Sequence, residues 1–560
     1  MFKWAQILFL VIFLISCNTK QARVWEDKPL PTEEAYYQYI LGYVAEKEGK
    51  WEDALKYYNS ALREDPSSSY VKTQIGYMLL RSGKIDEAVT SAEEVVKEDP
   101  DYVPALMLLG ELYNGQKRVK ESIKIYEKVL KINPDSQDAA LFVSILYSSI
   151  GKYDKAIDVL EKLVKEHPDN IMAIYYLGSI SIDKGDIESA SRYFQKIIEQ
   201  RPDFDVAYFN LGLINESKNR LREAEEYYSK AIAINPFNLR ARERLAQIFL
   251  RQKENNKAIE QFKEIVAKLP ASIDARIKLG ILYFEDNQFD KAIEEFRIVL
   301  GSSPDEIAIR YYLAISLEEM GRYEEAIAEF KEIILKEPKN LAAFLHLGYL
   351  YSQLNRYDEA IAIYKEILTF EKGKPEIYQY LAAIYVQKKD YMAAEEILKE
   401  GISRFIDNDE LNFNLAIVFE KTDRFDEMVR YLRKVIEINP EHADALNYLG
   451  YTYVEKNINL EEAQSLITRA VDLKPDSGYI IDSLGWLYFR LGEYNEALKN
   501  LLKAAEIEKD DPVIFEHIGD VYNSMGLKEN AREYWKKAIE FPEKEEGVKE
   551  RIEKKLQNLK

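Results

Sequence analysis

Proline stands at residues 66, 100, 134, 168, 202, 236, 270, 304 and 338, each 34 residues after the one before. Pro440 keeps the same register three periods on, and Pro475 falls one residue late, which places a single insertion within residues 457–460. This ladder constrains the fold more than composition does. Proline lacks the amide hydrogen that a helix interior needs and clashes with the preceding turn, so each period closes one supersecondary unit. A unit that small cannot bury its own apolar faces. It must stack on copies of itself, and the 560 residues then set the number of units rather than of domains.

Residues 307–340, IAIRYYLAISLEEMGRYEEAIAEFKEIILKEPKN, show the grammar of one unit. Leu313, Ala314 and Leu317 mark the inner face of a first helix, and Gly321 breaks it. Tyr323, Ala326, Phe330 and Ile333 mark the inner face of a second helix, which Pro338 ends. A small residue is required at position 8 of each unit, where the two helices cross closely. Glycine fills it at 42, 76, 110, 178, 212, 280, 348, 450, 485 and 519, alanine at 246, 314, 382 and 416, and Ser144 completes the set. Position 20 is alanine in thirteen of fifteen units, the exceptions being Ser122 and the bulkier Met428. Gly49, Gly83, Gly151, Asn219, Asn287, Gly321 and Gly492 sit at the turn, as a left-handed helix end prefers. Ser69, Ser136, Asn170, Ser272 and Asn340 are expected to cap first helices.

These positions resemble the signature of the tetratricopeptide repeat (TPR). The unit at 307–340 carries it in Leu313, Ala314, Leu317, Gly321, Tyr323, Ala326, Phe330 and Pro338. The next unit carries it in Leu347, Gly348, Tyr351, Asn355, Tyr357, Ala360 and Tyr364. The resemblance covers about residues 35–545. It implies an all-α fold, a right-handed superhelix of about fifteen helix-turn-helix repeats whose concave wall is lined by the first helices. The expected divisions are repeats 1–10 at 35–374, repeats 11–15 at 375–545, and a capping helix at 546–560 with Val548, Ile552, Leu556 and Leu559 at helical spacing. Lys372 and Ile406 replace the expected prolines, so 369–375 reads either as a hinge or as ordinary drift of the repeat.

In TPR proteins positions 2, 5, 9, 12 and 13 face the groove. That mapping selects Tyr36, Tyr39, Tyr43, Tyr70 and Tyr77 in the first two repeats, and Tyr175 and Phe209 in the fifth and sixth. It selects Phe284, Tyr311 and Tyr349 in repeats eight to ten, and Phe413, Tyr451 and Trp486 in repeats twelve to fourteen. Repeat seven interrupts this apolar series with Arg240, Glu243 and Arg251. An aromatic and aliphatic groove suits a peptide or amphipathic helix, and tyrosine and tryptophan supply large contact area with few rotatable bonds. The TPR clamp for chaperone C-terminal carboxylates needs lysine at position 5 and asparagine at position 9. No unit has either, so that partner is not expected.

Charge narrows the ligand further. With 77 Lys and Arg against 97 Asp and Glu, the net charge is −20, which repels phosphate backbones and disfavours nucleic acid. His167, His346, His442 and His517 lie in different repeats, and none has the second histidine three or four residues away that a metal-binding helix face uses. The turns GKIDEA (83–88) and GKYDKA (151–156) lack the flanking residues of a phosphate loop, and neither HExxH nor GxSxG occurs. No catalytic residue, metal or cofactor is expected.

The N-terminus reads as an address. Lys3 precedes an apolar run, Trp4 to Ile15, too short to span a bilayer but right for a signal sequence. Leu14-Ile15-Ser16-Cys17 resembles the bacterial lipobox, and Cys17 is the only cysteine. The resemblance implies cleavage of residues 1–16, lipidation of Cys17 and a tether over 17–34. Asn18 follows where an aspartate typically retains enterobacterial lipoproteins at the inner membrane, which resembles the outer-membrane case facing the periplasm. The expected function is a lipid-anchored, non-catalytic envelope scaffold that docks segments of secretion or assembly partners. The alternatives are an accessory or regulatory subunit of a cell-wall or exopolysaccharide-export machine, and direct glycan binding by the tyrosine-rich entry.

Overall fold

The computed structural model describes residues 32–542, 544 and 547–559. Cys17, the expected signal and residues 17–31 of the tether lie outside the described residues. Among the described residues there are 31 α-helices, α1 to α31 in chain order, and no strand.

Each repeat is a helical pair such as α17 (Ile307–Glu319) and α18 (Tyr323–Lys336). Side-chain caps start many first helices. Asn170 Oδ1 accepts the Ala173 amide at 2.9 Å at the head of α9 (Ile171–Lys184), and Ser272 and Asn340 do the same for their helices. The cap expected of Ser69 falls one residue earlier, on Ser68, and Ser136 stands at its cap position without a side-chain bond. First helices end on a left-handed residue. Gly321 has φ 69° and Asn219 φ 58°, but Lys117, Lys253, Lys389 and Asp423 adopt the same conformation despite their side chains. The turn geometry is therefore imposed by the packing, and glycine only lowers its cost.

The late proline at 475 has a local explanation. Between α25 (Ala443–Glu455) and α26 (Leu460–Leu473), Asn457 and Asn459 are both left-handed, with φ 53° and 48°. The additional residue is absorbed in that turn, so α26 still buries Ala463, Ile467 and Ala470.

Within a repeat the two helices meet at position 8. In α11 (Asp205–Ser217) an added Cβ on Gly212 would lie 2.5 Å from the ring of Tyr228 on α12 (Leu221–Ile234), and Tyr228 is fully buried. A methyl at that point would overpack the crossing. Ser144 solves the same problem by turning its hydroxyl back to the Ala140 carbonyl, 2.6 Å away. Met428 is accommodated and only 2% exposed.

The chain divides into two compact units, the first ending at Pro270 and the second beginning at Ala271. In each, helices pack mainly on their neighbours in sequence, the arrangement that a stacked repeat requires. Residues 371–374, inside the expected hinge, form a short loop between α20 (Tyr357–Phe370) and α21 (Pro375–Gln387), and those two helices pack on each other. The second unit closes with α31 (Val548–Asn558), which caps it. Val548 and Ile552 are fully buried against a cluster that includes Ile518, Trp535 and Ala538, with Leu556 and Leu559 partly buried beside them.

Candidate functional site

The first unit opens with aromatic side chains on α1 (Glu33–Lys47) and α3 (Ser69–Arg81). Tyr36 is 62% exposed, and Tyr43 and Tyr70 are also exposed, whereas Tyr39 and Tyr77 are half-buried. The Tyr39 and Tyr70 hydroxyls lie 2.9 Å apart, with their rings edge to face at 5.6 Å. Burial, reinforced by that hydrogen bond, holds the Tyr39 phenol protonated well above its ordinary range. Tyr37, Ile40 and Val44 are exposed on the same helix, and groove positions alone do not select them. Their spacing does, because 37, 40 and 44 fall on one helical face. On α5 (Val103–Gly115), burial raises the Glu111 carboxyl, and the nearby Arg81 charge only partly offsets it.

Farther along the first unit, α9 carries Tyr175, α11 carries Phe209, and α13 (Leu239–Arg251) carries Arg240 and Arg251. Phe209, expected on the open wall, is instead 6% exposed, because the Arg240 guanidinium lies over its ring at 5.0 Å and Tyr228 packs 5.8 Å away. Arg251 reaches to 3.4 Å from Glu216, which also accepts from the Tyr228 hydroxyl at 2.7 Å. Arg244, not singled out by position, lies 3.7 Å from the same carboxylate.

In the second unit the expected wall residues are mostly engaged with neighbours. Phe284 packs edge-on against Phe289 and Tyr312 at 5.7 and 5.2 Å. Tyr311 meets His346 at 5.8 Å, and His346 stacks on Phe330 while its Nδ1 bonds Glu318 at 2.9 Å. Tyr349 is exposed, and Tyr451 is half-buried. Phe413 lies 5.0 Å from His442, whose Nδ1 accepts the Ala445 amide and so caps α25. Trp486, on α27 (Gly478–Arg490), is 7% exposed and sandwiched between Phe489 at 4.6 Å and His517 at 4.0 Å. It too is part of the interior rather than a free surface. His517 Nδ1 bonds Asp482 at 2.9 Å, a buried pair beneath the tryptophan. These imidazoles stack, cap or pair within the packing. Among the described residues no group of three His, Cys, Asp or Glu could hold a metal, and no helix is long and apolar enough to cross a membrane.

Comparison with known families agrees with this architecture. A model described as a tetratricopeptide repeat matches residues 249–314, 283–347, 317–384 and 353–412. Further TPR models match 218–273, 485–526, 409–442 and 514–545, and a model described as the tetratricopeptide repeat protein 21 N-terminal ARM repeat matches 43–242. The chain belongs to the tetratricopeptide repeat family. This TPR chain is 34% identical over 121 residues to a TPR repeat-containing protein of Pseudomonas aeruginosa, an alignment covering 22% of this chain and 20% of that protein. It is 26% identical over 141 residues to tetratricopeptide repeat protein 13 of Homo sapiens, covering 24% and 16%. The TPR chain thus spans a fifth or less of the length of either curated relative. Among solved structures it is similar to YrrB, described as a TPR protein with an unusual peptide-binding site, at 20% identity and TM-score 0.29, covering 33% of this chain and 95% of that one.

Proposed function

We propose that this TPR chain is a non-catalytic scaffold whose first-helix wall takes up segments of partner proteins, and that a lipid on Cys17 holds it in a bacterial envelope. Tetratricopeptide repeats are protein-interaction modules, which supports the first half of the reading. One observation carries it to particular residues. Tyr36, Tyr43, Tyr70 and Tyr349, all at groove positions, stay exposed, and Tyr37, Ile40 and Val44 leave further apolar area open on α1. Tyrosines left open in this way offer contact area that costs little ordering entropy to use. The lipobox-like Leu14-Ile15-Ser16-Cys17 supports the second half. Confinement to a membrane surface raises the effective concentration of partners held there, so modest wall contacts suffice.

In-cell photocrosslinking tests the wall. A photoreactive residue at Tyr70 is expected to capture a defined envelope protein, and one at the exposed Lys56 on the second helix is not. Equal capture from both positions would rule out a wall-specific partner. Metabolic labelling with a radioactive fatty acid tests the anchor. The label is expected to disappear in Cys17→Ser, and its persistence there would end the lipidation claim.

A further inference from the structure

We propose that the wall built by α9, α11 and α13 is a docking site for an acidic protein segment, a deepening that rests on the scaffold reading above. The chain carries a net charge of −20, yet α13 presents Arg240, Arg244 and Arg251 on one stripe, at spacings of four and seven residues. At about 100° per residue these three Cα positions fall within about 40° of one another, and Glu243 lies about 60° from Arg240 on the far side of the stripe. All three arginines are exposed. The fourth arginine of the helix, Arg242, is buried at 9% and serves the fold through the Pro236 carbonyl, Gln261 and Glu264.

Counter-charge on the stripe is sparse. Glu216 is shared between Arg244 at 3.7 Å and Arg251 at 3.4 Å, and its side chain is only 9% exposed because the Tyr228 hydroxyl pins it from behind. One fixed carboxylate therefore orients two guanidinium groups without neutralising both. Arg240 has no carboxylate partner among the described residues; its guanidinium rests on Phe209, within electrostatic reach of Tyr175. Arg244 Nη1 also donates to Gln247 Oε1 at 3.4 Å. Guanidinium groups held in this way keep the planar fork that matches the bidentate geometry of carboxylates.

The spacing gives the occupant a length. Arg240 to Arg251 spans about 16 Å along the helix, which an extended chain covers in about five residues. The fitting ligand is a short segment with at least two carboxylates and an apolar side chain for the half-buried Tyr175. A polyanionic nucleic acid is disfavoured, because it extends beyond the stripe into the field of an acidic protein.

Fluorescence anisotropy with the detergent-solubilised full chain tests this. The probe is a labelled nonapeptide alternating glutamate and leucine, compared with its glutamine counterpart. The glutamate peptide is expected to bind, to weaken as salt is raised through physiological strength, and to lose about ten-fold or more in affinity with Arg240→Gln plus Arg251→Gln. Arg222→Gln, an exposed charge on α12, is expected to leave binding within about two-fold. Because Arg251 is exposed, the single Arg251→Gln variant keeps the test open if the double variant misfolds, and it too must weaken binding. Equal binding of the glutamine peptide, an unchanged Kd in the arginine variants, or tighter binding of a single-stranded oligonucleotide would each overturn the proposal. Tyr70 crosslinks separate the two claims. Crosslinks that persist while the acidic peptide fails leave the scaffold standing without this site, and their loss counts against the scaffold itself.

Discussion

The imidazole of His517 is held between opposed forces. Burial disfavours its cation, but the charge of Asp482 and its hydrogen bond, with Asp520 and Glu455 adding to them, outweigh burial and raise its pKa above the ordinary histidine value. A pKa raised in the folded state means stability that is fully present below the unfolded value of about 6.5 and lost as pH rises through the folded one. The wild type is therefore expected to out-melt His517→Gln by the widest margin at about pH 6 and by a shrinking margin on the alkaline side, read as Tm by circular dichroism across pH. A gap that does not change with pH would mean the ring is neutral and the contact is only packing. Single residues are also where the sequence was least legible. Register says which way a Cβ points, not what a long neighbour does next. Phe209 and Trp486 hold wall positions, yet Arg240 covers one and His517 with Phe489 the other. Arg244 sits outside the usual groove positions, yet it remains exposed and reaches Glu216. The signal that would have found it was present, as arginines at 240, 244 and 251 on one helical face.

At the scale of the element, α31 does what a terminal repeat cannot do for itself. It buries Val548 and Ile552, and it also brings Arg551 to 3.0 Å and Lys555 to 2.7 Å from Glu516, a carboxylate only 6% exposed. Lys555 bonds Asp520 as well, at 2.6 Å. Burial alone would raise the Glu516 pKa, but the two cations outweigh it and lower the value, so the pairing contributes above the ordinary glutamate range and fades as acid takes pH through the lowered pKa. Deleting residues 548–560 uncovers the apolar cluster that Val548 and Ile552 seal and removes both cationic partners of Glu516. The truncated chain is expected to melt earlier at neutral pH, read as Tm by circular dichroism. A truncation that melts like the full chain would show that α31 rests on the unit without stabilising it. The element itself was legible, since Val548, Ile552, Leu556 and Leu559 keep helical spacing in the sequence. Its ionic seam was not, because Glu516 and Lys555 are 39 residues apart and meet only once α29 (Pro512–Ser524) and α31 are packed.

For the whole molecule, the 34-residue ladder makes a stronger claim than any one helix. If each repeat is stabilised mainly by its immediate neighbours, removing one full period exchanges one matching face for another, whereas removing half a period does not. In the second unit, excising 307–340 joins Glu306 to Leu341. α16 (Phe289–Ser302) then faces Ala343, Leu347, Gly348 and Tyr351 of α19 (Leu341–Gln353) in place of Ile309, Leu313, Ala314 and Leu317, the same four positions of the repeat. The exchange is imperfect. It loses the Arg297–Glu325 and Lys336–Asp305 pairs and the stack of His346 on Phe330, and it sets a tyrosine where a leucine had packed. Exposed pairs contribute little and core swaps of this kind cost modestly, so the in-register variant is expected to keep its helical ellipticity per residue and a cooperative melt, with Tm lower by a few degrees. Excising 323–340 alone places α17 directly before α19, two first helices with no second helix between them, and neither inner face finds its complement. That variant is expected to lose cooperativity and helical signal together in thermal circular dichroism. If both deletions behave alike, the period is a pattern in the sequence without being the unit of stability, and the nearest-neighbour account of this fold fails.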